Sequence, residues 1–180
     1  IQDICNRFRP MEIRTATDAE EREKLWSGRK SVLGALGRLA PNYYLVDGTV
    51  PRTKLVEVLS KIRQISIDTG YPVANLLHAG DGNLHPSVLF DERKPGDTER
   101  ALEIGTQILE LCVEVGGVLS GEHGIGLEKQ DHMPLMFNEV DLAAMAKLKP
   151  SFDTHDALNP GKVFPTGAIC GDLRQAAAIA

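Results

Sequence analysis

His78-Ala-Gly-Asp-Gly-Asn-Leu-His85 separates two apolar runs, residues 71–77 and 86–90. Asp81-Gly82 is a strong hairpin signal, because Asp and Gly tolerate the positive φ of a tight two-residue turn. With those two residues as the turn, Gly80 faces Asn83, Ala79 faces Leu84 and His78 faces His85. Directly opposed residues hold their Cβ atoms roughly 4.5–5.5 Å apart. Two imidazoles so placed can grip one metal ion. The plainer alternative is two surface histidines beside a loop. In the second strand Leu84, Pro86, Val88 and Phe90 share one face. His85 and Ser87 share the other, so Ser87 is expected to look toward the same place as His85.

A second stretch answers the first. Val118-Leu119-Ser120-Gly121-Glu122-His123-Gly124-Ile125-Gly126 reads as a short apolar strand entering a glycine-rich loop. Glycine lets the backbone turn sharply or approach a ligand closely. His78, His85 and Glu122 would form a two-His, one-carboxylate set with a position left for water or substrate. His123 would remain as a proton acceptor. An ordinary glycine turn with solvated charges is the plainer alternative.

The bulk properties narrow the class. The chain has 180 residues, enough for one domain with a real core. Its hydrophobic content of 42% and charged content of 25% are ordinary for a soluble globular protein. A net charge of −5 argues against nucleic acid as a partner. No apolar run is long enough to span a membrane as a helix, and no signal peptide is visible at the start. Residues 1–10 begin without methionine or a clear helix cap and read as the continuation of something upstream. Cys5, Cys112 and Cys170 are far apart and odd in number. That argues against a disulfide framework or zinc ribbon and fits a reducing compartment. Cys112, within an apolar helical pattern, reads as packing.

In chain order, residues 11–16 alternate weakly and form a candidate strand. Thr17-Asp18-Ala19-Glu20 reads as a capping box opening a helix to about Ala40, ended by Pro41. Leu25, Trp26, Val32, Leu33, Leu36 and Leu39 form its apolar stripe. Arg29 falls within the stripe, and an arginine there needs an anion, either an internal carboxylate or a bound one. Lys30 is the less specific neighbour. Residues 43–50 read as a strand. A helix follows from a Thr53 cap to Thr69, stopped by Gly70. After the hairpin, Asp97 is expected to cap a helix running to Val115. His132 reads as exposed on a helix. Asp141 opens another helix that Pro150 bends or ends. Leu158-Asn-Pro-Gly-Lys-Val-Phe-Pro165 is a stiff, turn-rich loop, and residues 171–180 are expected to fray. The pattern is α+β: an antiparallel sheet with helices packed on one face, like a split β-α-β unit. No nucleotide-binding glycine fingerprint is present, and the His78–His85 spacing is not that of a zinc-protease helix.

The three motifs His78-Ala-Gly-Asp-Gly-Asn-Leu-His85, Ser120-Gly-Glu-His-Gly-Ile-Gly126 and Leu158-Asn-Pro-Gly-Lys-Val-Phe164 resemble, in order, the C-terminal domain of FAD-linked oxidases. The similarity is to the group of glycolate oxidase FAD subunits, D-lactate dehydrogenases and D-2-hydroxyglutarate dehydrogenases. It runs from about Arg14 to Pro165 and includes the stretches 26–30 and 44–51. The resemblance implies a ferredoxin-like cap domain over residues 1–170 that covers a flavin and carries the substrate site. The FAD itself would be held mainly by an N-terminal domain that this sequence lacks, so the chain alone is expected to be inactive.

By the same resemblance, His78, His85 and Glu122 are expected to bind a divalent metal, zinc or manganese. His123 would be the base for a substrate hydroxyl, and Arg29, with Lys30 beside it, would clamp the substrate carboxylate. Asn83 and Ser87 would contact the substrate, although relatives can carry an amide where Ser87 stands. Asn159 and Lys162 would lie near the flavin. The implied reaction is oxidation of a small D-2-hydroxy acid, glycolate or D-lactate in type, to the 2-oxo acid. Implied partners are the N-terminal FAD-binding domain, other subunits including an iron–sulfur subunit, and a second copy in a homodimer. The implied place is the cytoplasm or the inner face of the membrane. Two alternatives use the same residues differently: a self-contained metal-dependent hydrolase, and a non-catalytic assembly module of a multisubunit dehydrogenase.

Overall fold

The computed structural model describes residues 1–165, which fall into two units, Ile1–Leu39 and the chain from Ala40 onward. The tail expected to fray over residues 171–180 lies outside the described residues, as do residues 166–170.

The first unit holds α1 (Gln2–Arg7), α2 (Ala19–Lys30) and α3 (Val32–Leu36). The candidate strand at residues 11–16 is not formed; an alternating segment with no partner strand gains no ladder to hold it. The expected single helix is two helices. Ser31 lies between them with its hydroxyl donating back to the Ser27 carbonyl at 2.8 Å, a local bond that competes with the helical ladder. The capping residue is Asp18, not Thr17. Its carboxylate accepts from the Glu21 N–H, while Glu21 accepts from the N–H and hydroxyl of Thr17. The capping pattern is therefore displaced by one residue.

The second unit carries β1 (Asn42–Leu45), β2 (Gly48–Thr49), β3 (Val73–His78) and β4 (Asn83–Phe90). β4 is central. β3 pairs antiparallel along one edge, and β1 and β2 pair in succession along the other. A further antiparallel bridge joins Thr49 to Val118. With α4 (Leu55–Thr69) between β2 and β3, and α5 (Asp97–Glu114) between β4 and Val118, the order is the ferredoxin-like split β-α-β arrangement expected from the sequence. The alternation in β4 sorts its faces. Leu84 and Val88 enter a core with Val58 and Ile62 of α4 and Ile104 and Ile108 of α5. Asn83, His85 and Ser87 take the opposite face and are also buried. Cys112 is fully buried in this core, and burial pushes its thiol up to about 12. It is a packing residue, as expected.

The hairpin differs from the expected register. His78 pairs with Asn83 and Leu76 with His85, so the loop is the four residues 79–82. The His78 carbonyl accepts from the N–H groups of Asp81 and Gly82, and Asp81 Oδ1 accepts from the Asn83 N–H. Gly82 has φ of 82°, and its carbonyl accepts from the Val50 N–H. A Cβ at Gly82 would lie 2.0 Å from the Val50 oxygen, so the turn is pinned against the neighbouring chain. The opposed partner of His85 is thus two residues from His78. A displacement of two preserves the face, and His78 remains the diagonal neighbour of His85.

Smaller differences lie at the helix ends. Gly96, not Asp97, caps α5; the Asp97 carboxylate accepts instead from the Tyr71 hydroxyl at 2.8 Å. α6 (Glu139–Phe152) begins two residues before Asp141. It opens with a capping box from Asn138 and runs past Pro150 to Phe152. His132 is half-buried on a 3₁₀ turn, Gln130–Leu135, with Nε2 3.0 Å from the Thr106 hydroxyl oxygen.

Candidate active site

The end of β3 and the start of β4 bring His78 and His85 together, their rings edge to face at 5.5 Å between centroids. His85 is buried, whereas His78 is exposed on the rim. The chain leaving α5 pairs Val118 with Thr49, buries Leu119 in the core and then turns through residues 120–126 across the polar face of β4. Gly121 permits the close approach. A Cβ there would lie 2.2 Å from Asn83 Oδ1 and 2.6 Å from Thr49 Oγ1. The loop delivers Glu122 Oε1 to 2.9 Å from His85 Nε2 and 3.8 Å from His78 Nε2. One donor atom each from His78, His85 and Glu122 lies within 4.8 Å of the others. His123 stacks on His85 with centroids 5.0 Å apart, and its Nε2 is 3.8 Å from Glu122 Oε1.

Beneath this group sits a residue pair that sequence reasoning missed. Asp47, in the break between β1 and β2, is 1% exposed. Its carboxylate accepts from the Ser120 hydroxyl at 2.7 Å, from the N–H groups of Gly121 and His123 at 3.1 Å, and from that of Glu122 at 3.3 Å. Lys129 Nζ, also buried, donates to the same carboxylate at 3.0 Å and to the carbonyls of Asp47 and Leu119. Burial alone would push the Asp47 carboxyl up. The bonds from Ser120, Lys129 and the His123 N–H outweigh it and hold the group well below the usual carboxylate range. The available signal was an acidic residue interrupting an apolar strand, Leu45-Val46-Asp47-Gly48, which requires a donor set once buried.

Other expected site residues are placed less uniformly. Asn83 and Ser87 share the face of His85 but lie in the covered layer, 5% and 1% exposed. Asn83 Oδ1, His85 Nδ1, Ser87 Oγ and the neighbouring Thr49 Oγ1 are buried without a hydrogen-bond partner among the described residues. Buried polar groups of that kind ordinarily meet water or a ligand. Asn159, at φ of 49°, accepts from Lys162 Nζ at 3.3 Å. The Val163 N–H donates to the Gly126 carbonyl at 2.8 Å, tying this loop to the glycine loop. Lys162 lines a groove with Leu45, His123, Ile125 and Glu128.

Arg29 and Lys30 belong to α2 in the first unit. No residue of α2 is buried: Leu25 and Trp26, expected on a packed stripe, are 44% and 56% exposed. Arg29 is half-buried and has no ion pair among the described residues, while Lys30 lies 3.6 Å from Glu23.

A ferredoxin-like unit with two histidines on one hairpin and an acidic–histidine glycine loop folded across it matches a known class. The chain belongs to the FAD linked oxidases, C-terminal domain family, whose model matches residues 1–163. Among individual relatives, it is 46% identical over 173 residues to the glycolate oxidase subunit GlcD of Escherichia coli (strain K12), covering 96% of this chain and 35% of that protein. It is 36% identical to the glycolate oxidase subunit GlcD of Bacillus subtilis, covering 93% and 36%. It is 27% identical to the mitochondrial D-lactate dehydrogenase [cytochrome] of Arabidopsis thaliana, covering 92% and 30%. The chain therefore spans about a third of the length of the curated relatives it matches. No helix among the described residues is long and apolar enough to cross a membrane.

Proposed function

We propose that this chain is the substrate-side domain of a flavin-dependent oxidoreductase that converts a small D-2-hydroxy acid, of glycolate or D-lactate type, into the 2-oxo acid. The observation that carries the reading is the set of His78, His85 and Glu122, with donor atoms within 4.8 Å of one another and His123 stacked alongside. The names of the relatives agree with it.

The donor set fits a divalent cation. Two imidazoles and one carboxylate suit zinc or manganese, and the rigid, buried His85 is flanked by the more exposed His78 and Glu122. Such a cation would supply Lewis acidity toward the substrate hydroxyl. FAD, held mainly by a further domain, would supply the two-electron acceptor. His123 takes the hydroxyl proton as hydride leaves Cα, and the carbon–oxygen double bond forms from the electron pair left on oxygen. The stacking contact with His85 keeps the His123 ring beside Glu122.

Arg29 is proposed as the guanidinium that holds the substrate carboxylate, on its chemistry and its having no ion pair among the described residues, with Lys30 as a second positive charge. Asn83 and Ser87 are proposed to complete hydrogen bonds on the substrate side, and Asn159 and Lys162 to face the flavin. Further subunits, an iron–sulfur subunit among them, a homodimer, and a cytoplasmic or inner-membrane-face location belong to the same proposal. The test is flavin bleaching in the full-length, FAD-loaded protein on mixing with glycolate or D-lactate, before and after chelation. Bleaching by a 2-hydroxy acid that chelator abolishes and added cation restores is expected. Bleaching unaffected by metal removal would contradict the assignment of His78, His85 and Glu122.

A further inference from the structure

We propose that Asp47, neutralised by Lys129, is the positioning residue that sets the geometry of Glu122 and His123. The inference rests on the reading of Glu122 as a metal ligand and His123 as a base. Three successive N–H groups, those of Gly121, Glu122 and His123, converge on one carboxylate, and the Ser120 hydroxyl joins them at 2.7 Å. Consecutive N–H groups turned inward on a loop form an anion-binding concavity. Here the chain fills that concavity with its own anion. The two side chains that follow Gly121 are thereby fixed at their backbone. Glycine-flanked loops otherwise sample many conformations, and Gly124 and Gly126 both have positive φ in this one.

The Ser120 hydroxyl extends the clamp. Its oxygen donates to Asp47 and accepts from the Gly124 N–H at 2.7 Å, closing the loop on itself. With the bonds from Ser120 and the His123 N–H, Lys129 keeps this buried carboxylate ionised. All three Nζ protons are used, on Asp47 Oδ2, the Asp47 carbonyl and the Leu119 carbonyl. The latter two acceptors lie in the break between β1 and β2 and just past the Thr49–Val118 bridge, so Lys129 also joins those segments.

A second connection runs to His85. Its Nδ1 is buried without a hydrogen-bond partner among the described residues and lies 3.9 Å from Asp47 Oδ1. When Nε2 serves as a metal ligand, Nδ1 carries the ring proton and faces this negative charge. At 3.9 Å this is a charge contact and not a hydrogen bond, and it favours the tautomer with the proton on Nδ1, leaving Nε2 free to ligate. Asp47 thus reaches two of the three proposed ligands, Glu122 through its backbone and His85 by the charge beside its ring.

The test compares wild type with Asp47→Asn, Ser120→Ala and the core variant Ile62→Val in the full-length protein. Zinc affinity is read by calorimetry, and backbone amide exchange at residues 121–123 by mass spectrometry. Asp47→Asn keeps the shape and removes the charge. It is expected to weaken zinc about 10- to 100-fold, the range for losing an outer partner of a ligand, and to speed amide exchange of the loop at least about tenfold. Ser120→Ala, which removes one donor and leaves the ion pair, should move both readouts in the same direction by less; it carries the test if Asp47→Asn does not fold. Ile62→Val destabilises the core and should move neither readout. Wild-type zinc affinity and loop exchange in Asp47→Asn, or in Ser120→Ala where only that variant folds, would overturn the proposal. So would an equal loss of affinity in Ile62→Val. Failure of the wild-type protein itself to bind zinc is a distinct outcome, which overturns the metal reading and this inference with it.

Discussion

The apolar stripe read across α2 and α3, with Leu25 and Trp26 on α2, and the alternating apolar residues of β4 meet opposite surroundings. Every residue of β4 except Phe90, at its end, is buried; no residue of α2 is. Periodicity marks which side chains share a face, but burial depends on what covers the face. β4 has β3 on one edge and β1 and β2 on the other, the α4–α5 core beneath Leu84 and Val88, and the Ser120–Gly124 loop across Asn83 and His85. Within its own unit α2 packs against the short α3, and Leu25 and Trp26 stay exposed. The site chemistry divides in the same way. His78, His85, Glu122 and His123 are held by contacts with one another, whereas Arg29 has no such scaffold in its unit.

The contrast predicts a graded set of effects. Ile62→Ala, at a fully buried position, should lower unfolding free energy by about 2–5 kcal/mol in denaturant titration, the range for emptying a well-packed site. A loss under about 1 kcal/mol would mean that the core collapses around the change. In the full-length, FAD-loaded protein, His123→Ala should lower kcat by about 10²-fold or more with KM little altered, because the base proposed at His123 would act only as the proton leaves. A near-normal kcat would move the proton to another acceptor. Arg29→Ala should raise KM on the order of tenfold, since a charge-assisted bond contributes about 1.5–3 kcal/mol, with kcat falling only as far as misplaced substrate requires. An unchanged KM would leave the substrate carboxylate to Lys30. The smallest effect belongs to Leu25→Ala, expected within about 0.5 kcal/mol of wild-type stability. A loss comparable to that at Ile62 would show that α2 is covered as fully as β4.

Much of this was legible in the sequence. The Asp81-Gly82 signal located the hairpin, and alternation assigned Leu84 and Val88 to the core and His85 and Ser87 to the opposite face. The two histidine-bearing motifs could be paired because their residue types complete one donor set. The turn length was not legible. Asp-Gly announces a bend, but the turn is also held by Val50, just past β2 and far away in sequence, whose N–H donates to the Gly82 carbonyl. The Asp47–Lys129 pair, 82 residues apart, was hidden for the same reason. A buried charge is recognisable only with its partner, and nothing local to Val46-Asp47-Gly48 names Lys129. Helix starts shifted by one or two residues because several of Thr17, Asp18, Gly96, Asp97 and Asn138 could have capped. At α5 the Asp97 carboxylate is engaged by Tyr71, and Gly96 takes the cap position without a side-chain bond.

His78, His85 and Glu122 are proposed to form one cation site. It is tested most directly by calorimetric titration of zinc or manganese into metal-stripped full-length protein, alongside His85→Ala and Glu122→Gln. One cation per chain is expected for wild type, no measurable uptake at the same concentrations for His85→Ala, and affinity at least about tenfold weaker for Glu122→Gln. Wild-type protein that takes up no cation, or variants that bind it as wild type does, would rule out a cation site on these three residues.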